Sequence, residues 1–160
     1  YLNEEAIREL HCKITIAVGG HKTDPLSTHE SYREATRALR VVRLATFPQK
    51  VVFWENLGGV KLLSMVSHSQ DAEIFCKSTL GKLIEYDKST NGELLQTLRA
   101  LSKNNWNVKH TSEAMRFHYN TIKYRYKKIC ELLDFNLDDS DQRFDVALAL
   151  KLYDLGSYNE

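Results

Sequence analysis

Between Glu113 and Glu131 the chain contains no acidic residue, while Arg116, Lys123, Arg125, Lys127 and Lys128 place five positive charges in that window. The surrounding stretch, WNVKHTSEAMRFHYNTIKYRYKKICELL from Trp106 to Leu133, sets a short helical pattern, a tight turn and a longer basic helix in immediate succession. That order predicts a helix-turn-helix over about residues 107–133. The concentration of charge is local, because the 160-residue chain has a formal net charge of only +1. From Glu131 to Glu160, eight acids face Arg143 and Lys151, a balance of −6. A basic element on a nearly neutral chain is the electrostatic footprint expected for a phosphate-bearing partner.

Within the basic helix, expected from about Tyr119 to Leu133, the residues Ile122, Tyr126, Ile129 and Leu133 fall in one narrow sector at about 100° per residue. They predict the buried stripe. Opposite lie Asn120, Tyr124, Lys127 and Lys128, with Thr121 and Lys123 on the shoulders. Asn can pair with adenine in a bidentate manner, Thr can meet a base edge or a thymine methyl, and Lys can meet guanine or phosphate. The start of the second helix enters the major groove most deeply, which favours His118, Tyr119, Asn120, Thr121 and Tyr124 as sequence readers. Lys127 and Lys128, farther along, suit the phosphate backbone. A solvated basic face is the competing explanation. Such faces usually mix Lys with Glu at helical spacing, whereas no acid interrupts the run from Ala114 to Cys130.

The chain before this motif has a mixed character. Asn3 to Leu10 looks like a helix end with Asn3 as cap, and Lys13 to Val18 (KITIAV) predicts a strand ending at Gly19-Gly20. Thr28 is expected to cap a helix whose inner stripe is Tyr32, Ala35, Leu39 and Val42, ended by Pro48. Lys50 to Trp54 predicts a second strand, and Val60 to Val66 a helix. Beyond Ser67-His68-Ser69 only helical periodicity remains. Ala72, Phe75, Cys76, Thr79 and Leu83 share one face, Asn91-Gly92 introduces a helix bearing Leu94, Leu98 and Leu101, and Asn107 caps the next. A last helix over about Asp141 to Leu155 is apolar on two sides: Phe144, Leu148 and Leu155 on one, Val146, Ala149, Leu150 and Tyr153 on the other. The expected fold is α+β and predominantly helical, with an α/β part over 1–66 and an all-α domain over 67–160.

The apolar share of 42% with 27% charged residues fits a globular domain. No apolar run reaches the roughly 18 residues needed to span a bilayer, and the first residues lack a signal-peptide pattern. A cytoplasmic protein without membrane association is expected. Three scattered cysteines, Cys12, Cys76 and Cys130, suggest neither a disulfide framework nor a zinc site. His11, Cys12, His21 and His29 match no compact metal pattern. Catalysis and bound cofactors are not expected either: no phosphate-cradling glycine motif occurs, Gly81-Lys82 lacks the preceding glycine, and the doublets Gly19-Gly20 and Gly58-Gly59 are explained as turns. The remaining alternatives are a nucleotide-binding or cyclase-remnant domain, and a protein-interaction module that does not bind DNA.

The segment from Phe75 to Leu155 resembles the C-terminal domain of PucR/CdaR-type bacterial transcriptional regulators, through LGKLIEYDKSTNGELLQTLRAL, HYNTIKYRYKKI and DDSDQRFDVALAL. The family's recognition-helix signature maps onto His118, Asn120, Thr121, Tyr124 and Arg125 without a gap. Ser112 stands where the family commonly has Ala at the close contact between the two helices. The turn and second helix also look like the DNA-binding end of Fis-type nucleoid proteins. ITIAVGG, SYREATRALRVVR and VVFWENLGGVKLL are similar to the end of the degenerate GGDEF-like domain that precedes this unit, which would put Gly19-Gly20 on a late strand and outside any nucleotide signature. The resemblance implies double-stranded DNA as partner. The two-sided last helix is expected either to give one face to a homodimer or to bury both faces within one subunit. Tyr1 opens directly in a helical pattern, so a fragment is expected, with an effector, if any, bound by a region outside it.

Overall fold

A computed structural model describes residues 14–44, 51–136 and 138–156. The expected Asn3 cap, the helix end at Leu10, the stop at Pro48 and the ligand candidates His11 and Cys12 lie outside them. The described residues divide into two compact units, those up to Ser69 together with 154–156, and those between Gln70 and Tyr153.

In the first unit, strand β1 (Ile16–Val18) lies parallel to β2 (Val51–Phe53), with Ile16 opposite Val51 and Val18 opposite Phe53. A parallel pair cannot be closed by a tight turn. Helix α1 (Thr28–Leu44) makes the crossover and packs on both strands. Alternation along β2 follows from the pleat: Val52 is buried between exposed Val51 and Phe53. Val52 joins Ala38, Val41, Trp54, Leu57 and Leu155 in one apolar core, with Ala17, Val42, Val60 and Leu63 packed against it. Trp54 and Leu57 come from a short 3-10 turn, and Val60 and Leu63 from helix α2 (Val60–Val66), which has the predicted bounds.

Two local expectations for this unit change. The inner stripe of α1 runs through Ser31, Glu34, Ala38 and Val41, and Tyr32 is exposed. The cause is Gly19, where a Cβ would sit 2.0 Å from the Ser31 carbonyl oxygen, so that α1 lies directly against the backbone after β1. The Gly19-Gly20 doublet therefore serves close packing more than turning. Glu34 closes the contact by accepting from the Gly20 amide at 2.8 Å and pairing with Lys22 at 3.1 Å. Burial opposes ionisation of Glu34, but the Gly20 amide and Lys22 outweigh it and hold the carboxyl below its usual range. Thr28 is the first residue of α1 and donates to the Pro25 carbonyl, while Asp24 caps the 3-10 turn Pro25–Ser27 ahead of it by accepting from the Leu26 amide at 3.0 Å.

The second unit is helical throughout its described residues. It holds α3 (Gln70–Thr90), α4 (Leu94–Lys103), α5 (Val108–Met115), α6 (Tyr119–Leu133) and most of α7 (Ser140–Gly156). Helix α6 packs against α3, α4 and α5. The buried positions are Cys76, Leu80 and Leu83 on α3, Leu94, Leu98 and Leu101 on α4, Ile122, Ile129 and Leu133 on α6, and Val146, Ala149 and Leu150 on α7. Phe75, expected on the buried face of α3, is only half-buried. On α7 the side carrying Val146, Ala149, Leu150 and Tyr153 is buried, whereas Phe144 on the other side is exposed. Leu155, from the end of the same helix, belongs to the first core.

The turn from α3 into α4 depends on a carboxylate that the sequence does not advertise. Asn91 adopts the left-handed region (φ 49°), the Gly92 amide donates to the Asp87 carbonyl, and the Asp87 carboxylate accepts from the amides of Leu94 (3.0 Å) and Leu95 (2.7 Å). Glu93, in the cap position, makes no side-chain cap bond, so Asp87 satisfies the open amides of α4 from the preceding helix. A Cβ at Gly92 would meet that carboxylate at 2.5 Å.

Candidate nucleic-acid interface

Helix α5 starts at Asn107, whose side chain accepts from the His110 amide at 3.0 Å, and ends at Arg116 in the left-handed region (φ 58°, ψ 36°). The Phe117 amide returns to the Ser112 carbonyl, which fixes the exit of the chain. His118 then caps α6 through Nδ1, which accepts from the Asn120 amide at 3.2 Å. Arg116, Phe117 and His118 thus form the predicted three-residue turn. Thr111 and Ser112 are buried in α5, and the Ser112 hydroxyl is satisfied by donating to the Lys109 carbonyl, so the hydroxyl fits where the family commonly has Ala.

The inner side of α6 is closed. Ile122 and Ile129 are inaccessible and Leu133 is buried, while Tyr126 is half-buried, its phenol pushed up first by burial and then by the neighbouring Cys130. The outer side presents His118, Tyr119, Asn120, Lys123, Tyr124 and Lys127, all exposed. Asn120, Tyr124 and Lys127 are spaced at i, i+4 and i+7 and form one ridge. Tyr124, at 67% exposure, is a large aromatic residue left mostly in solvent. Lys123 sits 5.9 Å from the Tyr119 ring centroid, which steers its ammonium toward the start of the helix.

Three of the predicted positions are only partly open to solvent. Thr121 is half-buried. Arg125 turns back into the domain, with Glu93 at 2.8 Å, Thr97 at 3.2 Å and the Phe117 ring centroid at 4.6 Å. Lys128 pairs with Glu131 at 3.2 Å and lies 5.7 Å from the Tyr86 ring, and the hydrogen bond to Glu131 raises its pKa above the ordinary lysine value. The anchor of Arg125 escaped sequence reading because Glu93 lies 32 residues upstream. Among the described residues no cluster of His, Cys, Asp or Glu could hold a metal ion. Among the same residues no helix is long and apolar enough to cross a membrane.

A capped short helix, a three-residue turn and a second helix sealed on one side and exposed on the other define a helix-turn-helix domain. Residues 94–152 match the PucR C-terminal helix-turn-helix domain. The chain is 26% identical over 140 residues to the DNA-binding transcriptional activator AdeR of Bacillus subtilis, covering 87% of this chain and 33% of the relative. The proline-responsive transcriptional activator PutR of the same organism is also 26% identical, over 87% of this chain and 34% of its own length. The carbohydrate diacid regulator of Escherichia coli is 29% identical over 88% of this chain and 36% of its own. Residues 94–152 thus carry a PucR C-terminal helix-turn-helix domain, and the relatives that the chain resembles are named as transcriptional regulators. The chain spans about a third of the length of these relatives. A crystal structure of a regulator of polyketide synthase expression from Bifidobacterium adolescentis aligns over 82% of this chain and 49% of that one, at a TM-score of 0.47 and 16% identity.

Proposed function

We propose that the chain is the DNA-reading end of a sequence-specific transcriptional regulator, with α6 seated in the major groove of double-stranded DNA. The observation that carries this reading is the exposed ridge Asn120, Tyr124 and Lys127, held outward because Ile122 and Ile129 are inaccessible on the opposite side. His118, Tyr119, Asn120, Thr121 and Tyr124 face the bases from the start of the helix; Lys123, Lys127 and Lys128 meet phosphates. The first unit, with its parallel strands joined by α1, serves as the end of a degenerate GGDEF-like domain over 1–66, ahead of the DNA-binding domain over 67–160. The regulator acts in the cytoplasm, without catalysis of its own. It acts as a homodimer that presents two recognition helices about one DNA turn apart, roughly 34 Å. Any effector binds a region outside this chain.

The test uses a duplex recovered by the wild-type chain from a random DNA pool, beside a scrambled duplex of the same length. Asn120→Ala should weaken binding to the selected duplex by roughly 1 to 3 kcal/mol and leave the scrambled one nearly untouched. Equal losses on both duplexes would remove Asn120 from base reading.

A further inference from the structure

Arg125 carries the family signature and a positive charge, yet its guanidinium is committed elsewhere. Its side chain is only 18% exposed, and its partners come from two other elements: Glu93 and Thr97 at the beginning of α4, and Phe117 in the turn. Thr97 is itself fixed, inaccessible to solvent and donating to the Glu93 carbonyl at 2.8 Å. The contact combines a charge-assisted pair, a neutral hydrogen bond and stacking on an aromatic face, for which a planar guanidinium is suited and an ammonium is not. Together they fix α6 about its own axis, because Ile122 and Ile129 resist translation but an apolar seam alone tolerates a small roll.

We infer that Arg125 is a positioning residue for DNA reading, setting the rotation at which Asn120 and Tyr124 meet base edges, and that it is not a phosphate ligand. The inference rests on the DNA-binding reading given above. Glu93 makes the two roles separable by sign. If Arg125 positions the helix, removing the Glu93 charge harms sequence reading; if Arg125 meets phosphate, the same change frees a cation and strengthens binding.

The experiment measures the whole chain and its Glu93→Gln, Arg125→Lys and doubly substituted variants on the selected and scrambled duplexes over a range of salt. Glu93→Gln should bind the selected duplex roughly fivefold more weakly, the size expected for a partly exposed ion pair. Binding to the scrambled duplex and the slope against log salt should stay unchanged. Arg125→Lys should behave alike, and the double variant should lose no more than either single one, since both remove one contact. Tighter binding by Glu93→Gln on both duplexes, with a slope steeper by about one phosphate, overturns the assignment. So does an unchanged preference in both single variants. A wild-type chain that never prefers the selected duplex overturns the proposed function, and the assignment with it.

Discussion

Lys127 and Lys128 are adjacent in sequence and equivalent by charge, but the fold separates them. Lys127 is exposed, whereas Lys128 is drawn aside by Glu131 and the Tyr86 ring. Replacing Lys127 by Ala should weaken selected and scrambled duplexes alike and flatten the salt slope by about one unit, read from anisotropy titrations. Lys128→Ala should flatten it less, because its charge is already partly neutralised by Glu131. Equal slopes for the two variants would show that Glu131 releases Lys128 on the DNA. The outward positions of Asn120, Tyr124 and Lys127 were legible in sequence, since helical geometry places them opposite Ile122 and Ile129. The inward turn of Arg125 was not. Periodicity puts Arg125 on the flank of the helix, and only Glu93, Thr97 and Phe117, supplied by distant sequence, decide which way a long flexible side chain goes.

Helix ends follow the same division between local and distant information. The cap at Asn107 was legible because its partner, His110, is three residues away. Asn107→Ala should cost the domain about 1 kcal/mol in denaturant unfolding, as the loss of an N-cap bond usually does. A change below a few tenths would mean that water replaces the carboxamide without loss. Asp87 was not legible as the cap of α4, because it reaches across the Asn91-Gly92 turn from another helix. In the first unit the two strands and α2 emerged near their predicted bounds from β-branched runs and flanking glycines. The inner stripe of α1 was misplaced because periodicity gives the width of an apolar face but not its contact point, which Gly19 determines by letting the Ser31 backbone approach.

The boundary near Ser69 was legible from the change to purely helical periodicity, whereas the grouping of residues 154–156 with the first unit was not, because it depends on contacts distant in sequence. The same holds for Cys76, whose place on the buried face of α3 was legible but whose partner, the Ala149 carbonyl at 3.5 Å, was not. Burial pushes the Cys76 thiol up from 9.0 to about 11. Between those values the unfolded chain ionises this group while the folded one keeps it protonated, so its contribution is whole below pH 9 and is lost as the pH climbs toward 11. The loss is on the order of 2 kcal/mol. Cys76→Ser keeps a donor for Ala149 and does not ionise there, so thermal melts from pH 8.5 to 11 should decline less steeply than those of the wild type; identical declines would remove Cys76 from the alkaline transition. DNA binding itself is tested by titrating the wild-type chain against a labelled duplex at salt concentrations from about 50 to 300 mM. Neutralisation of three or four phosphates by the basic helix and its turn predicts a log–log slope of roughly −3 or steeper. A flat slope, or no binding at the lowest salt, would contradict it.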